Sequence, residues 1–222
     1  MRWLGFRFKI AIFIGTLFLL VFGGNSLLQA LRFRAPVVIT AEEFEKQKPT
    51  AGWFHIKNCV LDGIDEVHFH PKDEADDFSK IKEVYIPVYS AKTYDKEKGG
   101  SKTINAMVLT RDTKTLDSLR EANGALSGPK GADDTKALDY MVKNLGKLVQ
   151  RRDVEGMVRS GLESISADEK SQLAKNDSTP APDFVTLEEG KQPSLLAGVG
   201  LLFAGLALLA AQFFYYIVLR RR

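Results

Sequence analysis

The sequence predicts an α+β domain held between two transmembrane helices, and three observations carry that fold class. Residues 10–31 and 194–219 run for 22 and 26 residues without an acidic or basic side chain. Between them lie short stretches in which apolar and polar residues alternate, the period of a half-buried strand. Further along, two stretches place apolar residues at helical spacing.

The first apolar run is long enough to cross a bilayer core of ~30 Å at ~1.5 Å per helical residue. Leu, Phe, Ile and Val dominate it, and each favours insertion. Residues 1–9, MRWLGFRFK, followed by IAIFIGTLFLLVFGG, also fit the charged and apolar regions of a secretory signal peptide. A small residue is needed three positions before the cut, however, and Leu28 stands there for a cut after Ala30. The run is therefore read as an uncleaved anchor.

Arg and Lys collect on the cytoplasmic side of inserted segments. Arg2, Arg7, Lys9, Arg220, Arg221 and Arg222 flank the outer ends of the two runs, against Arg32, Arg34 and Lys191 on their inner flanks. Six against three places both termini in the cytoplasm, in an integral protein of the bacterial inner membrane. The expected layout is a cytoplasmic tail (1–9), a first span (10–31), an extracytoplasmic α+β domain (32–193), a second span (194–219) and a second tail (220–222). The net charge of +3 comes from the ends, since residues 10–219 alone carry −3. An acidic outer domain excludes nucleic acid as a partner, because that binding needs a positive surface to displace counterions.

Within the outer domain, APVVIT reads as a strand. Thr40 and Glu43 have capping-box spacing before the helix AEEFEKQK, which Pro49 stops. Residues 53–70 read as a hairpin. Phe54, Ile56 and Val60 alternate with Trp53, His55, Lys57 and Cys59; Asp62-Gly63 makes the turn; Val67 and Phe69 alternate with His68 and His70. In residues 81–90, Val84, Ile86 and Val88 share one face and Tyr85 and Tyr89 the other, while Pro87 predicts an edge or bulged strand. After an exposed loop, residues 103–112 return as a strand. Four strands in sequence make a meander, closed into a partly open barrel or left as a small antiparallel sheet, with two or three helices beside it.

Helices are predicted over residues 113–126 and 135–150, the second carrying Leu138, Met141, Val142, Leu145 and Leu148 at helical period. Residues 153–161 read as extended. Ser166 and Glu169 form another possible capping box, NDSTPAPD reads as a linker and FVTLEEG as a last strand. The core is expected at Phe54, Ile56, Val60, Val67, Phe69, Val84, Ile86, Val88, Ile104, Met107, Val108 and Leu109.

Two groups of residues are candidates for function. In the predicted hairpin, His55, Cys59, His68 and His70 project from one face, a ligand set that zinc or copper would accept. Lys57 shares that face and the spacing matches no compact metal motif, so a solvated face explains the same pattern and no cofactor is expected. In the second span Ala197, Gly200, Ala204, Ala207 and Ala211 recur at spacings of three and four. Such a stripe of small residues lets another helix approach closely, either the first span, which offers Ala11 and Gly15, or a partner's helix. The glycines of GVGLLFAG fall inside this span, which excludes a phosphate loop. Serine-elbow, HExxH and paired-cysteine motifs are missing from the sequence. The acids Asp73, Glu74, Asp76 and Asp77 read as a solvated loop, and Asn176 opens a glycosylation sequon.

The layout is similar to that of membrane-anchored assembly factors that flank an outer domain with two spans, a likeness of layout alone. The expected function is binding of other membrane or periplasmic proteins, self included, as scaffold, assembly factor or accessory subunit. The alternative is a metal or small-ligand sensor or carrier working through the histidine face.

Overall fold

The structure is a computed structural model that describes residues 2–64, 67–68, 83–96, 103–126, 134–159 and 179–219. In chain order its elements are α1 (Arg2–Arg32), β1 (Val37–Thr40), α2 (Ala41–Gln47), β2 (Gly52–Asp62), β3 (Val67–His68) and β4 (Val84–Ser90). There follow α3 (Ala91–Lys96), β5 (Thr103–Thr110), α4 (Thr113–Leu126), α5 (Asp134–Leu148), β6 (Val149–Val158), β7 (Thr179–Glu189) and α6 (Leu195–Leu219). The chain divides into two units, one of residues Met1–Ala35 with Pro193–Arg222, the other of Pro36–Gln192.

In the first unit, α1 and α6 each hold a stretch long and apolar enough to span a membrane, 23 residues in α1 and 21 in α6. They pack antiparallel. Gly23 lies against the backbone of Leu201 and Leu202, Gly198 against that of Ser26 and Leu27, and Gly205 against Leu20. Farther along, Gln212 Nε2 donates to Thr16 Oγ1 at 2.7 Å, and that hydroxyl donates to the Ile12 carbonyl at 2.9 Å. Glycine on both helices brings the backbones together, and the buried Thr16 hydroxyl is satisfied inside the pair. Large apolar side chains such as Phe13, Leu196, Phe203 and Phe213 stand on the outer faces, the surface that lipid would solvate.

The second unit is mixed α and β, built on a closed five-stranded barrel. The ring runs β2–β6–β7–β5–β4 and back to β2. All pairings in it are antiparallel except β5 with β7. Closure depends on β2 changing partners along one edge. Its first half pairs there with β1 in parallel, Val37 opposite Phe54 to Thr40 opposite Lys57; its second half pairs with β4, Cys59 opposite Ser90 to Leu61 opposite Val88. Between the halves is a bulge at which Asn58 takes φ 57°. Asp153 Oδ1 accepts the Asn58 amide at 3.0 Å and holds that turn of the backbone. A bulge bends the strand and sharpens its twist, the deformation a barrel corner needs.

The barrel interior is filled by side chains from all five strands, among them Phe54, Ile56, Cys59 and Leu61 of β2, Ile86 of β4, Val108 of β5, Val154 of β6 and Leu187 of β7. Ala41 and Phe44 of α2 stopper one end, Phe44 meeting Phe54 edge-on at 5.6 Å, while Leu116 and Leu119 of α4 enter the same core. The capping box of α2 forms as read: Thr40 Oγ1 accepts the Glu43 amide and the Glu43 carboxylate accepts the Thr40 amide. A second apolar cluster, Val60, Tyr85, Tyr89, Ile104, Met107 and Leu109, lies on the other face of β2, β4 and β5 under Ala91 and Tyr94. Of the expected core residues, the ten whose side chains are described are all buried. They divide between these two faces; Val67's side chain and Phe69 lie outside the description.

Three expectations are corrected. The barrel is closed rather than partly open, and its order is no meander, since β2 pairs with β6 and β4 while β3 pairs with β4. Residues 179–183, read as part of a linker, belong to β7, with Thr179 opposite Thr103 and Pro180 opposite Ile104 of β5. Pro180 and Pro182 are tolerated because β6 meets β7 only at Leu187–Glu189, leaving the earlier edge without a partner among the described residues. Pro87 likewise sits on β4 between the residues paired with β3 and those paired with β2. The helix expected at DEKSQLAK, with its Ser166–Glu169 box, lies outside the described residues.

Candidate functional site

Of the predicted histidine-bearing face, only His55 and Cys59 have described side chains, and these two lie on opposite sides of β2. Asp62 ends β2, and Gly63 donates its amide to the Leu148 carbonyl at 2.9 Å instead of turning the chain into a hairpin partner. His55 is half-buried on β2 opposite Glu155. Its Nδ1 lies 3.3 Å from Glu155 Oε2 and its Nε2 3.4 Å from Asp153 Oδ2. The two ring nitrogens thus face two different carboxylates in opposite directions, an arrangement that orients the ring rather than converging on one ion.

Cys59 lies on the other side of the strand. The bulge at Asn58 inserts an extra residue and reverses the alternation, so Cys59 joins Phe54 and Ile56 inside the barrel, 0% exposed. Its thiol points at the Ile56 carbonyl, Sγ to O 3.5 Å. Burial, with the Asp153 charge adding, pushes that thiol up to about 12, so the thiolate that binds metals is not formed at neutral pH. The backbone of His68 pairs with Val84; its side chain, like His70 and the acids 73–77, is not described. Among the described residues no group of three or more His, Cys, Asp or Glu is placed to hold a metal ion.

The predicted stripe on α6 is also not what joins the two spans. Ala197, Gly200, Ala204, Ala207 and Ala211 are all exposed, and a Cβ at Gly200 would meet nothing within 4 Å. Gly15 of α1 is equally open. The packed positions are Gly198 and Gly205 on α6 and Gly23 on α1. The three glycines of α6, Gly198, Gly200 and Gly205, are all small enough to pack; only contact with α1 tells the used face from the free one.

A site that sequence reasoning missed lies at the α4 end of the barrel. There the inward-facing positions turn from apolar to polar: Thr110 at the end of β5, Gln150 and Arg152 at the start of β6, and Glu189 at the end of β7. With Arg111, Asp112, Lys114, Thr115, Ser118 and Gly190 they line a cleft of about 660 Å³. Its geometry is fixed from several directions. Asp112 caps α4, its Oδ2 accepting the Thr115 amide and hydroxyl, each at 2.9 Å, and those bonds hold its carboxyl below the usual range. Thr110, fully buried, accepts the Asp112 amide at 3.1 Å.

Arg152 grips both carboxylate oxygens of Glu189 through Nη1 and Nη2, while its Nε donates to Gln150 Oε1 at 3.1 Å. Arg111 spans Glu83, at 3.0 Å from Nε and 2.9 Å from Nη2, and Glu188 through Nη1. Partial burial opposes ionisation of Glu188, but bonds from Arg111 and Lys191 hold its carboxyl below the usual range. Barrel mouths with a few convergent polar groups over an apolar floor are a common setting for ligands. The signal was present in the sequence: Gln150 and Arg152 carry on the alternation of Val154 and Val158, and Glu189 that of Val185 and Leu187.

Comparison with protein-family models, with curated proteins and with solved structures finds no match for the chain.

Proposed function

We propose that this is a two-span protein of the bacterial inner membrane, both termini in the cytoplasm, that binds other membrane or periplasmic proteins through a domain on the outer side. It would act as scaffold, assembly factor or accessory subunit. The observation that carries this reading is the unused small-residue face of α6. α1 occupies the Gly198–Gly205 face and leaves Ala197, Gly200, Ala204, Ala207 and Ala211 exposed. In lipid no hydrophobic force drives helices together, so close approach over small side chains is what association uses. The antiparallel pairing of α1 with α6 and the excess of basic residues at the two ends support placing both termini on one side.

Crosslinking in native membranes, followed by gentle extraction and identification of the captured proteins, tests the reading. We expect a partner to be captured, a second copy of the chain being one outcome. Gly200→Leu with Ala207→Leu should reduce capture about tenfold, since leucines on this face hold a second helix away. A wild-type protein recovered alone would overturn the proposal. The small-ligand alternative is favoured by the cleft at the barrel mouth and not by His55, whose ring is already held between two carboxylates.

A further inference from the structure

We infer that the barrel mouth binds a small molecule through a single oxyanion group, a carboxylate or a phosphate, held by Lys114 and Arg152. The site is independent of the protein-binding surface of α6.

Lysine and arginine donors remain uncommitted in the lining. Both acids in the lining are already engaged: Glu189 by two Arg152 nitrogens and Asp112 by two Thr115 donors. The cations are not exhausted. A guanidinium offers five N–H donors, of which Arg152 commits three, one to Gln150 and two to Glu189. The Lys114 ammonium, with three donors, makes no hydrogen bond or ion pair among the described residues, though its charge reaches Asp112, and Lys114 lines the same cleft. The uncommitted donors of Lys114 and Arg152 both carry positive charge, so the complementary ligand is an acceptor-rich anion.

Charge sets how many such groups fit. Arg111 is engaged by Glu83 and Glu188 and Arg152 by Glu189, which leaves Lys114 as the one lining cation without an ion pair among the described residues. One oxyanion balances it; a second would meet Glu189 and Asp112 unscreened. The cleft of about 660 Å³ accepts a metabolite-sized molecule. Arg152 is held on three sides and arrives pre-oriented, whereas Lys114 on the first turn of α4 is left to close on the ligand.

The test is calorimetric titration of the full chain, in uncharged maltoside micelles at constant ionic strength, with inorganic phosphate, with acetate and with a water-soluble short-chain phosphatidic acid. Saturable binding of phosphate or acetate is expected, weakened about fivefold or more by Lys114→Gln, since a charge-assisted contact is lost, and unchanged by Lys143→Gln on α5. Binding of the phosphatidic acid alone would assign the oxyanion to a lipid headgroup and keep the site. Because Arg152→Gln strands Glu189 and can unfold the barrel, Lys114→Gln is the deciding variant. No saturable heat with any of the three probes, or equal affinity in Lys114→Gln and wild type, overturns the inference.

Discussion

Gly156→Val is expected to destabilise the barrel by about 3 kcal/mol or more, among the largest effects any single substitution in this chain should have. A Cβ at Gly156 would fall 2.2 Å from the Glu188 carbonyl oxygen and 2.8 Å from its carbon. Both are backbone atoms of β7 and cannot swing aside as a side chain would. β6 and β7 are joined by three register pairs, Gly156–Glu189, Met157–Glu188 and Val158–Leu187. Pushing the strands apart at the first therefore loosens the whole seam, and with it the Arg152–Glu189 grip at the barrel mouth. Gly156→Ala should show the same effect at about 2 kcal/mol, as one inserted methyl still requires backbone to move. Gly146→Ala is the contrast: it lies in the last turn of α5 with nothing within 4 Å, so it should stabilise slightly, by about 0.5 kcal/mol, through helix propensity. Urea unfolding of the full chain in detergent, followed by Trp53 fluorescence, reads all three, since Trp53 sits on β2 opposite Met157. A loss below about 0.5 kcal/mol for Gly156→Val would mean that β6 and β7 do not close the ring as described.

The second large effect concerns the two apolar helices, α1 and α6. Gly198→Leu should separate α1 from α6, because a Cβ at Gly198 would lie 2.6 Å from the Leu27 nitrogen and 2.8 Å from its Cα. Gly23→Leu meets the Leu202 nitrogen at 2.5 Å and should do the same. Thr16→Cys combined with Gln212→Cys replaces the hydrogen-bonded pair by two thiols that a short bismaleimide can bridge. Cys59, buried and protonated, stays out of the reaction. Bridging should be efficient in the double-cysteine protein, fall about fivefold or more once Gly198→Leu is added, and be unaffected by Gly200→Leu, where the space is open. Equal loss from Gly198→Leu and Gly200→Leu would remove the distinction between the packed and the free face of α6.

These two cases also mark how far the sequence could be read. Local signals were legible because their physics is local. Thr40 and Glu43 stand three residues apart and cap α2; Val84, Ile86 and Val88 alternate with Tyr85 and Tyr89 across β4. Closure of the barrel was not legible, since it rests on pairings such as Trp53 with Met157 that join residues about a hundred positions apart. The reversal at Asn58 was hidden too: a left-handed backbone at a residue other than glycine is imposed by tertiary contacts, here the Asp153 carboxylate. That single inserted residue moved Cys59 off the face of His55, so those two do not share a ligand set. On α6 the spacing of small residues was visible, yet two such faces exist, and only contact with α1 tells which is used. The mouth of the barrel was half legible. Arg152 and Glu189 obey the alternation of their strands, but their meeting requires the β6–β7 register.

The central proposal is that α1 and α6 cross the membrane and leave both ends of the chain on the side opposite the barrel. Topology reporters fused after Arg120 and after Arg222, compared in the same cells, measure this directly. The expected signal comes from the external compartment for the first fusion and from the cytoplasm for the second. Both reporters in one compartment would contradict it.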